Sequence, residues 1–250
     1  MTAFLLTRPQ GQNETMAGRL RAMGKPVLEF PMLEIVATAG DRSVMLALDQ
    51  YDHVVFISSN AANLGLRALS DLWPQWPLAP TWYAVGRTTA KAMAAWNLQA
   101  IVPAQEDSAG LLSLPSLSGI AGQRVLIVRG QGGRELLMET LSQRGARVDY
   151  LEVYARRPVQ LEVEAKKQVT AFNPVIALLY SGDSAAALAG NFMGDLGRFR
   201  IVVPSTRVAD VVAKLGFAFV RSAGGTSEAD MTGAAREVLM GVLAAAETKD

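Results

Sequence analysis

The chain has 250 residues, half of them hydrophobic, enough for one large packed domain or two of ordinary size, which excludes global disorder. Lys and Arg number 24 against 23 Asp and Glu, so the net charge of +1 creates no long-range field toward nucleic acid or a membrane, and any anion site has to be local. With no Cys and one His, His53, the chain offers no disulfide, thiolate nucleophile, zinc ribbon or His-rich metal site.

The opening Met1-Thr2-Ala3-Phe4-Leu5-Leu6-Thr7-Arg8 is a short apolar run ending in a polar turn, without the basic start of a signal peptide. No stretch reaches roughly 18 apolar residues. We therefore expect a cytoplasmic protein with no membrane or nucleic-acid partner, acting as a monomer. After the first strand, Met16, Leu20 and Met23 recur at helical spacing, and Gly24 supplies the left-handed residue that ends such a helix. Val27 to Ala37 reads as one long extended stretch containing Pro31. The run Val54 to Ile57 is a buried strand, and Ser58-Ser59-Asn60-Ala61-Ala62 opens a helix; His53 falls at the strand's start, as a solvated or capping residue. Trp73 and Trp76 sit in a proline-broken loop and read as packing beneath it. Tyr83-Ala84-Val85 precedes Gly86-Arg87-Thr88-Thr89-Ala90, and Glu106-Asp107 reads as surface or turn acid. The strand Val125 to Val128 ends at Arg129, with Leu137, Leu141 and Gly145 repeating the first helix's device. Val148 to Val159 is a second long extended stretch, ending near Pro158. Two further strand-to-helix units follow, Ile176 to Gly182 and Ile201 to Arg207. Met16, Met23, Met138 and Met240 fall on apolar helix faces as core filler.

These units repeat in the order a, b, c, a′, b′, c′. Leu5 to Leu33 aligns with Leu126 to Tyr154 at an offset of about 121 positions, so Arg8 falls on Arg129, Gly11 on Gly132 and Gly24 on Gly145. Val54 to Ala62 aligns with Ile176 to Ser184, and Tyr83 to Ala90 with Ile201 to Val208. Strands alternating with helices imply parallel sheets, helices on both faces and ligands at the carboxyl ends of the strands. The two extended stretches, about twice the usual 5–6 residues of a strand, read as crossings between domains. One domain then holds residues 1–34 and 159–250, the other 39–150, with 35–38 and 151–158 connecting them.

Arg8, Arg87, Arg129, nearby Arg134 and Arg207 lie just past strand ends, beside Ser58, Ser59, Asn60, Thr88, Thr89, Ser181, Ser205 and Thr206. Arg grips oxyanions in bidentate fashion, and hydroxyls cap helices whose free amides face an anion, so the set suits a ligand with several carboxylates or phosphates. Capping and rim solvation alone would use the same residue types. Gly130-Gln131-Gly132-Gly133-Arg134 lacks the third glycine of a dinucleotide fingerprint, because Glu135 stands there, and no phosphate-binding G-x-x-x-x-G-K-[ST] stretch occurs. His53, at the wrong end of its strand, leaves a serine hydrolase without a base. Tyr154, on the second extended stretch, either turns its phenol into a cleft or packs at a domain boundary. A two-lobed periplasmic-type binding module and a sugar-nucleotide transferase share parts of this pattern, but the first needs export and the second an acidic ribose clamp and a base.

Leu5-Leu6-Thr7-Arg8-Pro9, Phe56-Ile57-Ser58-Ser59-Asn60-Ala61-Ala62, Ala84-Val85-Gly86-Arg87-Thr88-Thr89-Ala90, Val128-Arg129-Gly130-Gln131-Gly132-Gly133-Arg134-Glu135-Leu136 and Val153-Tyr154, in this order, resemble the bacterial uroporphyrinogen-III synthase family along essentially the whole chain. Pro204-Ser205-Thr206-Arg207 departs from the family's frequent Gly-Pro-Thr-Thr, which puts the mirror position of Thr89 in question. The resemblance implies two flavodoxin-like parallel α/β domains joined by a two-stranded β-ladder. It implies a cyclising lyase that closes hydroxymethylbilane, a linear tetrapyrrole polycarboxylate, with loss of water, a spiro intermediate and inversion of the last ring, in haem biosynthesis and without cofactor or metal. By the same resemblance Tyr154 assists the departing hydroxyl. Arg8, Ser58, Ser59, Asn60, Gly86, Arg87, Thr88, Thr89, Arg129, Gly130, Gly133, Arg134, Ser181, Gly182 and Thr206 hold substrate.

Overall fold

The protein is described from a computed structural model, which covers residues 1–133 and 135–247. The first part runs β1 (Ala3–Leu6), α1 (Glu14–Arg21), β2 (Val27–Glu29), β3 (Leu33–Ala37) and α2 (Arg42–Leu46). The middle adds β4 (His53–Phe56), α3 (Ser59–Ser70), β5 (Thr81–Ala84), α4 (Arg87–Ala94), α5 (Ser108–Leu112), β6 (Arg124–Gly130), α6 (Leu136–Gln143) and β7 (Arg147–Pro158). The chain closes with α7 (Val163–Thr170), β8 (Val175–Leu178), α8 (Gly182–Asn191), β9 (Phe199–Val203), α9 (Thr206–Lys214), β10 (Val220–Ser222) and α10 (Glu228–Glu247). It divides into two compact units, Met1–Glu34 with Arg157–Asp250, and Ile35–Arg156.

Each unit carries one sheet, ordered β10-β9-β8-β1-β2 in the first and β3-β7-β6-β4-β5 in the second. The pairs among β1, β2, β8, β9 and β10, and among β4, β5, β6 and β7, are parallel. The central strands are continuous apolar runs because helices cover both faces. In the first unit Leu5, Ala177 and Ile201 point toward α8 and α9, while Phe4, Leu6, Ile176, Leu178 and Val202 meet Met16 and Leu20 of α1 and Met231 and Ala235 of α10. In the second, Val54, Phe56, Leu126 and Val128 pack on Ala62, Leu66 and Leu69 of α3, and Val55, Tyr83, Val125 and Ile127 on Leu111, Leu137 and Leu141. Among the described residues no helix is long and apolar enough to cross a membrane.

The extended stretch expected over 27–37 is two strands in different sheets. β2 pairs with β1, the chain breaks across Phe30, Pro31 and Met32, and β3 joins β7. Pro31 lacks the amide a continuing ladder would need. β7, by contrast, runs unbroken for 12 residues.

The internal repeat is real in space, with one correction of register. Arg8 and Arg129 keep their correspondence, since Phe4 and Leu6 face α1 as Val125 and Ile127 face α6. Leu5 pairs with Ala177, whereas Leu126 pairs with Val54, so Ala177 corresponds to Val54 rather than Val55. The second and third blocks therefore each shift by one residue, and a one-residue slip exchanges the two faces of a strand. Ser181 then stands with Ser58 and Ser205 with Gly86, each pair being the N-caps of equivalent helices. Thr89 corresponds to Val208, both buried, and the exposed Arg207 to the exposed Thr88.

His53 is buried, bonded through Nδ1 to Tyr83 Oη at 3.1 Å and through Nε2 to Gln123 Oε1 at 2.6 Å, so it is neither solvated nor a cap. Trp73 and Trp76 donate to the carbonyls of Met45 and Trp96 and pack within the second unit, whereas Met240 is exposed rather than core. Helix α3 approaches its sheet closely at Gly65, where a Cβ would lie 2.7 Å from Val128 Cγ1 and 3.3 Å from Phe56 Cε1. Gly65→Val forces that pair apart, and we expect it to lower the unfolding free energy by about 2 kcal/mol, read as a lower urea midpoint at unchanged slope.

Candidate active site

Parallel sheets of this kind take ligands outside the carboxyl ends of their strands, where the chain order reverses direction. That point falls between β1 and β8 in the first unit and between β6 and β4 in the second.

In the first unit the loops after β1 and β8 are tied by Thr7 Oγ1, which donates to Leu178 O at 2.7 Å. Arg8 is half-buried; its guanidinium lies 4.2 Å from the centre of the Tyr180 ring and donates to Gln12 O at 3.4 Å. Burial raises the Tyr180 phenol's pKa, and the Arg8 charge works against that rise. Asn13 Nδ2 donates to Arg8 O, while Asn13 Oδ1 and Tyr180 Oη are buried with no hydrogen-bond partner among the described residues. Unpaired buried polar atoms are rare, and each calls for an explanation. Ser181 caps α8 in a reciprocal box with Ser184, leaving the first-turn amides outward. Gly182, in the first turn of α8, lies close to α9, since a Cβ there would be 2.9 Å from Val211 Cγ1. Thr206 is exposed in the first turn of α9, behind the Ser205 cap.

In the second unit Ser58 caps α3, its Oγ accepting from Ala61 N at 3.0 Å and lying 3.2 Å from Tyr154 Oη. Ser59 and Asn60, half-buried, form the first turn of α3. Tyr154 is only 2% exposed and belongs to the core against α3, with the Arg156 guanidinium 5.8 Å from its ring centre. Its ring closes against Gly130, where a Cβ would come within 2.4 Å of Tyr154 Cε2 and 2.5 Å of Cζ. Strand β6 has a register shift between Arg129 and Gly130, and Gln131 N donates to Tyr154 O at 2.7 Å.

Two expected anion grips are already engaged within the protein. The Arg129 side chain, 3% exposed, is turned inward: Nε donates to Gly130 O, Nη2 to Gly132 O and Nη1 to Glu135 Oε1 at 3.2 Å, so each of its three nitrogens already has a partner within the protein. Arg87, 88% exposed, donates through Nε to Glu106 Oε1 at 2.5 Å, and Glu106 Oε2 accepts from Arg87 N at 2.8 Å. Glu106 thus caps α4 in place of the side chain that Gly86 lacks, and those bonds hold its pKa below the usual carboxylate range. Thr88 is exposed and Thr89 buried. Gly133, with φ of +99°, is exposed beside the Arg129 guanidinium, and Arg134 lies outside the described residues. The sequence reading assigned no role to Asn13, Tyr180, Glu135 and Tyr150, and took Glu106 for a surface or turn acid rather than the cap of α4. Among the described residues no group of three or more His, Asp or Glu could hold a metal ion.

The fold and these capped strand ends define a doubly wound parallel α/β protein with glycine-loop and helix-cap chemistry at the strand termini. The family model described as uroporphyrinogen-III synthase matches residues 14–232. The uroporphyrinogen-III synthase of Escherichia coli is 32% identical over 234 residues, 88% of this chain and 94% of that protein. That of Salmonella typhimurium is 41% identical over 162 residues, 62% of this chain and 65% of that protein. A crystal structure of the Helicobacter pylori enzyme covers 97% of this chain and 100% of that one at a TM-score of 0.66 and 14% identity. A mutant enzyme from Thermus thermophilus covers 97% and 99% at 0.60 and 16%. The chain belongs to the uroporphyrinogen-III synthase family.

Tyr150 gives the site a measurable signature. Burial first, and its hydrogen bond to Glu135 second, push its phenol up to about 12. Because the folded value exceeds the free one, its stabilisation is complete below pH ~10 and is lost as pH rises through about 12. Ultraviolet titration of wild type minus Tyr150→Phe should give a difference curve centred near 12; one centred at the free phenol value would mean that neither burial nor Glu135 holds the proton.

Proposed function

We propose that the protein closes hydroxymethylbilane to uroporphyrinogen III, and that its chain forms two flavodoxin-like domains, 1–34 with 159–250 and 39–150, joined by a ladder of strands 35–38 and 151–158. The observation that carries the activity is the family match across residues 14–232. The common order of β2-β1-β8-β9 and β7-β6-β4-β5 supports the domain reading.

The substrate carries carboxylates on every ring. Arg8 and the first-turn amides behind Ser58, Ser181 and Ser205, with Ser59, Asn60, Gly182 and Thr206 in those turns, are suited to hold them. In the reaction the terminal hydroxyl leaves as water, giving an electrophilic azafulvene. The last pyrrole attacks through its already substituted carbon to form the spiro compound, which fragments and recloses with that ring inverted. The sum is the loss of one water with no net oxidation.

Tyr154 is the donor for the departing hydroxyl. Either hydroxyl of the Ser58–Tyr154 pair can donate to the other. When Ser58 donates, the phenolic proton is free for the leaving oxygen, and Ser58 Oγ still accepts from Ala61 N. The electron-rich pyrrole supplies most of the push, so modest acid assistance suffices.

Purified protein with hydroxymethylbilane alone should yield the type III ring by chromatography, where an enzyme-free control gives type I; a product ratio equal to the control would sink this reading. Tyr154→Phe keeps the ring seated on Gly130 and removes only the hydroxyl. Turnover should fall by roughly ten- to a thousandfold at unchanged melting temperature, and full retained turnover would remove Tyr154 from the chemistry.

A further inference from the structure

The glycine loop after β6 is held from two sides. On one side its carbonyls turn inward: Gly130 O accepts from Arg129 Nε and Gly132 O from Arg129 Nη2. On the other, Gln131 N donates to Tyr154 O at 2.7 Å and Gly130 carries the Tyr154 ring. These directions belong together, because a trans peptide points its carbonyl and the following N–H opposite ways. The same rule sends the Gly133 N–H away from the guanidinium. Gly132 and Gly133, at φ of +67° and +99°, adopt backbone that side chains other than glycine resist. Arg129 is itself fixed: its guanidinium lies 4.4 Å from the centre of the Tyr150 ring, Glu135 Oε1 pairs with Nη1, and Tyr150 Oη donates to Glu135 Oε2.

We propose that Arg129 is a positioning residue rather than a substrate ligand: with Glu135 and Tyr150 as its holders, it sets residues 130–133 so that Tyr154 stays seated on Gly130 and the Gly133 amide faces outward as a donor for a substrate carboxylate. The inference rests on the proposed cyclisation and names the part of the site that orients rather than grips. Arg suits this position because its three nitrogens, held in one plane, each donate from a separate point, Nε to Gly130 O, Nη2 to Gly132 O and Nη1 to Glu135; the ammonium of Lys has three donors but all on one atom, and cannot span these acceptors. The glycines and the arginine are one device, and neither works without the other.

Glu135→Gln separates the two readings by sign. If Arg129 gripped substrate, removing its internal carboxylate rival would free the guanidinium and lower KM with kcat intact. If Arg129 positions the loop, the same change loosens it, and kcat falls by about ten- to a hundredfold with KM unchanged or raised, never lowered, as the Gly133 contact weakens. Tyr150→Phe, which keeps the ring under the guanidinium, should lower kcat in the same way but less, and the double variant should lose less than the product of the two single effects. Arg129→Lys should resemble Glu135→Gln, while a rise in KM alone would overturn the proposal. Should Arg129→Lys fail to fold, the two holder variants decide. Hydrogen exchange without substrate gives a second readout: the Gln131 amide, protected by Tyr154 O, should exchange faster in Tyr150→Phe and Glu135→Gln than in wild type. Unchanged exchange in both overturns the clamp whatever the activity. A wild type that makes no type III ring overturns the functional reading instead, and exchange alone then judges the loop.

Discussion

Each central strand buries alternate side chains in two separate cores, and this double burial leaves the strand ends as the places where polar chemistry can gather. Val54 and Phe56 face one helix layer and Val55 the other; Ala177 and Leu178 divide in the same way. A charged side chain within these strands would need a partner inside an apolar layer. At the carboxyl ends the requirement is reversed, because the first amides of α3, α8 and α9 have no partner within their helices and need acceptors. Ser58, Ser181 and Ser205 meet part of that need, and the remaining amides are what an anionic ligand can use.

The protein already meets part of that demand with its own carboxylates. Glu106 at the start of α4 and Glu135 on Arg129 occupy positions that a carboxylate-rich substrate could otherwise take. Close packing makes these substitutions possible. A side chain at Gly86 would stand 2.6 Å from Glu106 Oε2, and one at Gly130 would stand inside the Tyr154 ring. These glycines are therefore fixed by what lies against them, which differs from Gly132 and Gly133, where the positive φ is the reason.

The strand-to-helix units, the apolar faces and the repeat were legible because each is a local pattern: a run of Val, Ile and Leu, a cap, a period. The register of the second and third repeat blocks was not, since aligning Ser181 with Ser59 matches letters, while only strand pairing and face assignment reveal that Ser58 is its true counterpart. The break at Pro31 was visible as a residue but not as an exchange of sheets. The inward turn of Arg129 was hidden for a different reason. An arginine past a strand end is the same letter whether it faces solvent or a loop carbonyl, and Tyr150, which decides the matter with Glu135, lies on the neighbouring strand. The burial of His53 likewise depends on Gln123 and Tyr83, far from it in the chain.

On the proposed reaction, the only polar side-chain partner that Tyr154 Oη has among the described residues, the Ser58 hydroxyl, is enough. The pyrrole pushes the hydroxyl out as water with modest acid help, and the azafulvene can then be met by either of two carbons of the last ring, the free one leading to the simple ring and the already substituted one to the inverted ring. Proton supply does not discriminate between them; geometry does. A site that must select one closure benefits more from loops that do not yield than from a perturbed pKa. The loop beside Tyr154 has that character: its carbonyls are tied to a buried guanidinium, one amide is tied to the neighbouring strand, and an aromatic ring fills the space where a side chain would be. Conformational selectivity, on this reading, resides in the backbone of residues 130–133, and the phenol of Tyr154 is positioned by the backbone its ring and carbonyl contact.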